Sequence, residues 1–262
     1  VQTCALPISG AKVVQVPGEE GTFQIDMEKF EAAVNEKTKA VIVNSPNNPS
    51  GVVYSEETIV KMCDILRKKE KEYGHPIFLI TDEPYRELVY DDIDVPYMIN
   101  YYDNTFVCYS YSKALSLPGE RIGYIVVSNK MVDSKDAYAA VCGAGRVLGY
   151  VCAPSLFQKV IERCIDDTAD ISIYKTNRDL LYNSLTEMGF ECVYPDGAFY
   201  LFVKAMEDDA KAFCEKAKEQ ELLLVPADSF GTPGYVRVSY CVQTEQIERA
   251  LPAFKKLADS YK

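Results

Sequence analysis

Three short segments of this 262-residue chain carry side chains able to bind and act on a small ligand. The first is Asn44-Ser45-Pro46-Asn47-Asn48-Pro49-Ser50-Gly51, a turn-forming run that offers side-chain amides. The second is Thr81-Asp82-Glu83-Pro84-Tyr85, which sets a carboxylate beside a phenol. The third runs from Ser110 to Gly123 and gathers Ser110, Ser112, Lys113 and Arg121. Each directly follows an apolar, strand-sized run: Ala40–Val43, Ile77–Ile80 and Phe106–Tyr109. In open α/β sheets, ligands sit beyond the carboxyl ends of the strands. Each segment alone has a plain structural account as a turn, a cap or a solvated charge. Their succession at three consecutive strand ends points to a site.

The elements that must position these segments follow from periodicity. Ala11–Val16 reads as a strand. Asp26–Asn35 reads as a helix with Met27, Phe30 and Val34 on one face. Ser55 is the expected cap of a helix running to about Lys71, with Glu56 and Glu57 in its first turn and Ile59, Met62, Cys63 and Leu66 as its apolar stripe. Its polar end, Arg67–Glu72, is expected to be a solvated face. Ile125–Val127 adds another strand. Apolar runs separated by helices predict strands covered on both faces in an α/β sheet. A long helical region, Met131–Leu185, is broken near Gly143–Gly149 and Pro154. Beyond it come strands at Ala198–Val203, Leu222–Val225 and Tyr235–Tyr240, and helices at Asp208–Gln220 and Thr244–Tyr261. The expected division is a large domain over 9–170 and a small α+β domain over 171–262. Residues 1–8 lack periodicity and an initiator Met, and read as a non-native start to a C-terminal piece of a longer chain.

Composition limits the function classes. Hydrophobic residues make up 48% and charged residues 26%, which excludes disorder. Lys plus Arg is 28 and Asp plus Glu is 39, a net charge of −11. That deficit of basic charge argues against a nucleic-acid partner and against an anionic membrane. No apolar run reaches the length of a bilayer span. The nine cysteines are odd in number and form no C-x-x-C pair, so they read as reduced thiols of a cytoplasmic protein, with no metal site. His75 is the only histidine, so a Ser-His-Asp or Cys-His mechanism has one candidate base and no spacing in its favour. Gly143–Gly149 is glycine-rich but follows a helical pattern rather than a strand, which excludes a nucleotide loop.

The three segments, together with Gly197-Ala198-Phe199-Tyr200 and Arg237-Val238-Ser239, resemble the class I/II aminotransferases, fold type I enzymes that use pyridoxal 5′-phosphate (PLP). The likeness is greatest to aspartate-aminotransferase-like members and runs from about Ala11 to the C-terminus. The motifs match the family types N-x-P-N-N-P-T-G (Ser50 for Thr), D-E-x-Y and S-x-S-K-x-x-x-x-x-G-x-R-x-G. The resemblance implies a mostly parallel sheet flanked by helices with a smaller α+β domain, and transfer of an amino group from an amino acid to a 2-oxo acid. It implies a Schiff base between Lys113 and PLP. Asp82 would face the pyridine nitrogen, and Tyr85 and Asn48 would hydrogen-bond the ring hydroxyl. Ser110 and Arg121 would hold the phosphate, and Arg237, with Asn48, the substrate α-carboxylate. It implies a homodimer, and places Arg146 in a region that members set near the partner's site. The family's segment ahead of Ala11 carries further cofactor contacts that are not in this chain, so PLP binding by this piece alone is expected to be weak or absent. Two other activities share these motifs: a PLP-dependent C–S lyase, and a non-enzymatic effector domain of a winged-helix regulator.

Overall fold

The computed structural model describes residues 10–262; the non-native start expected at 1–8 lies outside the described residues. Helix α1 spans Met27–Ala33, and the Asp26 carboxylate caps it by accepting from the Lys29 N–H at 3.0 Å. Phe30 and Val34 are buried and Met27 packs against their cluster, as the periodicity requires. Helix α2 spans Glu56–Tyr73. Its cap is Ser55, whose hydroxyl accepts from the Thr58 N–H at 3.1 Å, and it ends at Gly74 with φ 71°. Ile59, Met62, Cys63 and Leu66 are all buried on its inner face. Full burial of each such side chain stabilises the fold by about 1.5–3 kcal/mol. Glu70 departs from the solvated face expected over Arg67–Glu72. Its carboxylate accepts from the Ile77 N–H at 2.9 Å and the Asn104 amide at 2.7 Å, tying α2 to the start of the next strand.

Strands β1 (Ala40–Asn44), β2 (Phe78–Asp82), β3 (Thr105–Ser110) and β4 (Gly123–Val127) form one sheet in that order. The first three are parallel, with Asn44 opposite Asp82 and Asp82 opposite Cys108, so their carboxyl ends lie side by side. β4 runs antiparallel to β3, with Ser110 opposite Gly123. A parallel return needs a crossover, usually a helix. The link here holds only the one-turn helix α3, Tyr111–Ala114. The covering also differs from the both-faces expectation. β3 alternates buried and half-buried residues, and Gly123, Tyr124 and Ile125 of β4 are exposed. The predicted strand Ala11–Val16 does not form; Val13 and Val14 are exposed and pair with no strand, so their apolar character has no ladder to join.

The long helical region breaks where glycine and proline interrupt it, into α4 (Ser134–Val147), α5 (Ser155–Arg163) and α6 (Ser172–Glu187). α4 buries no residue, and an apolar band remains exposed along this stretch: Tyr138, Val147, Leu148, Tyr150, Val151 and Leu156. A second sheet, antiparallel throughout, takes the order β5-β6-β8-β7 from Cys192–Val193, Tyr200–Lys204, Tyr235–Ser239 and Val225–Pro226. Helices α7 (Ala210–Glu219) and α8 (Thr244–Asp259) complete it. The predicted strand Leu222–Val225 is reduced to β7, because Glu221 takes φ 62° and the Leu222 N–H bonds back to the Ala217 carbonyl at 3.0 Å. Those residues finish α7 instead of pairing.

The cluster under the second sheet joins Leu181, Leu185, Phe213 and Phe254 to Tyr85, Leu88 and Tyr90 from the loop after β2. The loops at the carboxyl ends of the first sheet are thereby packed against the second. Among the described residues no helix is long and apolar enough to cross a membrane, and all eight cysteines are free thiols.

Candidate active site

The loop after β1 is knotted by its own amides. Asn44 is buried; its Nδ2 donates to the Asp82 carbonyl at 2.8 Å and its Oδ1 accepts from the Asn48 N–H at 2.7 Å. Asn47 Nδ2 donates to the Asn44 carbonyl at 3.1 Å, and its Oδ1 accepts from both the N–H and the hydroxyl of Ser50. Gly51 closes the loop at φ 75°; a Cβ there would lie 2.6 Å from Pro195 Cβ and 2.8 Å from the Tyr200 carbonyl. Only glycine meets both the backbone angle and the approach. The loop so fixed turns the Asn48 side chain toward β8, where its Oδ1 accepts from Arg237 Nη1 at 2.8 Å.

Asp82 ends β2, half-buried. Burial raises its carboxyl above the usual aspartate range, and no hydrogen bond or ion pair among the described residues reaches its carboxylate oxygens. The following turn is held by Glu83, almost wholly buried, which accepts from Arg86 Nε at 2.7 Å; Arg86 also donates to the Val95 and Pro96 carbonyls. This clamp carries Tyr85. The Tyr85 ring is buried edge-on to Phe199 and Tyr200, and its hydroxyl lies 3.2 Å from the Tyr200 hydroxyl. Burial first, and then the bond to Tyr200, push the Tyr85 phenol far above its ordinary range.

Lys113 lies on α3, just past β3. Its Nζ is 5.4 Å from the Phe199 ring centroid and 5.9 Å from that of Tyr85. Ser110 stands at the N-terminus of α3 without using its side chain as a cap. Gly123 lets β4 close on it: a Cβ at 123 would sit 2.3 Å from the Tyr109 carbonyl and 3.0 Å from Ser110 Cα. Arg121 is exposed, takes φ 52° and donates from Nη1 to the Pro118 carbonyl at 3.0 Å.

Arg237 lies on β8 between Phe202 of β6 and Val225 of β7. Its guanidinium stacks 4.4 Å from the Tyr200 ring and 5.2 Å from the Phe230 ring. Among the described residues no carboxylate is within ion-pair distance of it. A half-buried guanidinium flanked by two rings, with only Nη1 engaged, has forked donors left for a carboxylate.

Asn48, Tyr85, Lys113 and Arg237 therefore converge through direct contacts or shared rings, and Asp82 adjoins them through strand register. Ser110 and Arg121 share the β3–β4 end, with no bond between them. Arg146 lies exposed on α4, and none of its contacts reaches these residues. The Gly143–Gly149 segment falls in and after α4, away from any strand end. Sequence reasoning gave no role to Asn44, Tyr200 or Phe230. Tyr200 belonged to a motif that was visible, but alternation along a strand cannot show which ring stacks on which arginine.

A family model described as aminotransferase class I and II matches residues 4–254. The aspartate aminotransferase of Thermotoga maritima is 33% identical over 91% of this chain and 61% of its own length. An aromatic-amino-acid aminotransferase of Thermococcus litoralis is 29% identical over 97% of this chain and 66% of its own. The crystal structure of an amino transferase from Eubacterium rectale superposes with a TM-score of 0.96 at 61% identity, over 98% of this chain and 64% of that one. The chain thus spans less than two thirds of the length of each of these relatives.

Proposed function

This chain belongs to the class I and II aminotransferases and shares their fold type I architecture, and from that we propose that it forms the larger part of a PLP-dependent enzyme that moves an amino group from an amino acid to a 2-oxo acid. The observation that carries the proposal is the convergence of Lys113, Tyr85, Asn48 and Arg237 beside the Asp82 carboxylate. The residues present fit PLP. Asp82 is a half-buried carboxylate with no donor among the described residues, and a cationic ring N–H would satisfy it. The Ser110 hydroxyl and the Arg121 guanidinium stand at one strand end, suited to a phosphate.

Bound PLP supplies an electron sink and an aldehyde carbon on which the migrating nitrogen can be held. Arg237 grips the substrate α-carboxylate with the donors that Asn48 leaves free, and the rings of Tyr200 and Phe230 keep its plane fixed. Lys113 Nζ would take the proton from the substrate Cα as general base and then, as general acid, deliver it to the former aldehyde carbon, so that the nitrogen stays behind when the 2-oxo acid leaves. Tyr85 keeps its proton through the working pH range, because burial holds the phenol neutral, and so acts as a hydrogen-bond donor at the ring oxygen. Asp82 stays ionised once a cation faces it, which keeps the ring nitrogen protonated.

The division into a large domain over 9–170 and a small one over 171–262 is part of the proposal. So is a homodimer, supported by the exposed apolar band along α4 and α5. A cytoplasmic location is supported by the eight free thiols among the described residues. The three compared proteins are all named aminotransferases, which favours transfer over C–S lysis or a regulatory role. The test is an isotope assay with a 15N-labelled amino acid and an unlabelled 2-oxo acid. Label in the new amino acid, absent with Lys113→Ala, is expected; ammonia and pyruvate without an acceptor would replace transfer by lyase chemistry.

A further inference from the structure

Tyr200 touches both ends of the site. Its ring lies 4.4 Å beneath the Arg237 guanidinium, at the carboxylate end. Its hydroxyl lies 3.2 Å from the Tyr85 hydroxyl, at the cofactor end. Tyr200 is 8% exposed and held from both sides. Its backbone pairs with Ser239 of β8, and its carbonyl packs against Gly51 at the end of the Asn48 loop. Its ring is also edge-on to Tyr85, 6.0 Å between centroids. The side chain therefore cannot move without disturbing both Arg237 and Tyr85.

We propose that Tyr200 is a positioning residue that couples the carboxylate-gripping arginine to the phenol at the cofactor ring. The inference rests on the aminotransferase function proposed above. Its two halves are chemically distinct. The ring supplies a face on which the guanidinium lies flat, and this fixes the direction of the donors that Asn48 does not use. Either hydroxyl of the pair can donate: before PLP binds Tyr85 can donate to Tyr200, and when Tyr85 instead donates onward to the ring oxygen of PLP the direction reverses and the Tyr200 hydroxyl donates to Tyr85 Oη. A phenol that accepts a hydrogen bond donates a stronger one, because aligned bonds polarise each other. Tyr200 thus strengthens the contact that stabilises the deprotonated form of the cofactor chromophore, which lowers its titration midpoint.

The two halves separate by mutation. Tyr200→Phe keeps the ring and removes the hydroxyl. Tyr200→Leu removes both. In the protein loaded with PLP, the absorbance midpoint of the bound cofactor should rise by about half a pH unit in Tyr200→Phe, within the range that one ordinary hydrogen bond is worth. The KM for the amino acid should stay within about twofold of wild type. In Tyr200→Leu the KM should rise about tenfold, the loss of one partly buried cation–π contact, with kcat changing less. A cofactor-free reading accompanies these. With 15N-arginine labelling, the Arg237 side-chain signal should carry the same ring-current shift in wild type and Tyr200→Phe, and in Tyr200→Leu should keep only the smaller part that the more distant Phe230 ring supplies. An unmoved midpoint in Tyr200→Phe, or an unmoved KM in Tyr200→Leu, overturns the coupling while PLP binding stands. A wild-type protein that develops no absorbance band with PLP overturns the aminotransferase function and the coupling together.

Discussion

Replacing Arg237 by lysine keeps a positive charge on β8 but removes three things that the structure displays. The fork that can bind a carboxylate with two bonds becomes a single ammonium. The Nη1 bond to Asn48 at 2.8 Å is lost, and so is the flat stack between Tyr200 and Phe230. A hydrogen bond to a charged group contributes about 1.5–3 kcal/mol, and a partly buried guanidinium stack about 1 kcal/mol. Lysine recovers part of the charge term, so the net loss should be about 3 kcal/mol, a factor of roughly 10² in kcat/KM. The loss should fall mainly on KM, because the carboxylate is gripped before and during the chemistry alike. The assay is steady-state transfer with an amino acid and, in parallel, with the amine that lacks its carboxylate. Wild type should prefer the amino acid strongly, and Arg237→Lys should lose most of that preference by slowing with the amino acid alone. Equal slowing with both substrates, or no change in KM, would refute the assignment of Arg237 to the carboxylate.

Four further outcomes follow from the geometry. Asp82→Asn should abolish transfer, yet the variant free of PLP should be at least as stable as wild type at neutral pH. The sign is fixed by burial: the folded state holds the Asp82 proton to higher pH than the unfolded chain does, so ionisation costs stability as pH rises from the unfolded to the folded pKa. The difference in Tm should therefore be near zero in acid and grow as pH rises, and a variant less stable at neutral pH would contradict it. Gly123→Ala should cost about 2–3 kcal/mol in urea unfolding, because the new methyl would overlap the Tyr109 carbonyl across the β3–β4 pair. Arg178→Ala should cost about 2–3 kcal/mol by the same assay. Arg178 is 1% exposed, 2.7 Å from Asp179 and 4.7 Å from the rings of Tyr90 and Tyr194. Most of that cost is lost packing rather than ion pairing, since its acidic partners face water. Finally, the exposed apolar band from Tyr138 to Leu156 should bind an apolar fluorescent dye in this chain, and Tyr150→Lys with Val151→Lys should reduce that signal.

Much of this architecture was legible because burial imposes periodicity. The stripe Ile59–Met62–Cys63–Leu66 and the Ser55 cap located α2 within a residue or two, and the runs before Asn44, Asp82 and Ser110 located three strand ends of the candidate site. What failed was whatever depends on neighbours in space. The direction of β4 follows from the absence of a crossover after β3, and the apolar run itself is silent about it. Ala11–Val16 has strand-like residues with no strand to join, while Leu222 looks like a strand residue and serves as the end of a helix. In the site, residue types at strand ends marked Asn48, Asp82, Tyr85 and Lys113. The stacking of Arg237 on Tyr200 joins residues far apart in sequence through tertiary packing, and only coordinates reveal it. Glu70 likewise reads as one charge among six, and it is a link between α2 and β2 because of where the helix ends.

The central claim is that the amine of Lys113 is the group that holds PLP. Borohydride reduction of the PLP-loaded protein, followed by proteolysis and mass mapping, tests it most directly. The expected result is a single pyridoxyl adduct, on Lys113, lost in Lys113→Ala. An adduct on another lysine, or labelling that survives Lys113→Ala, would contradict it.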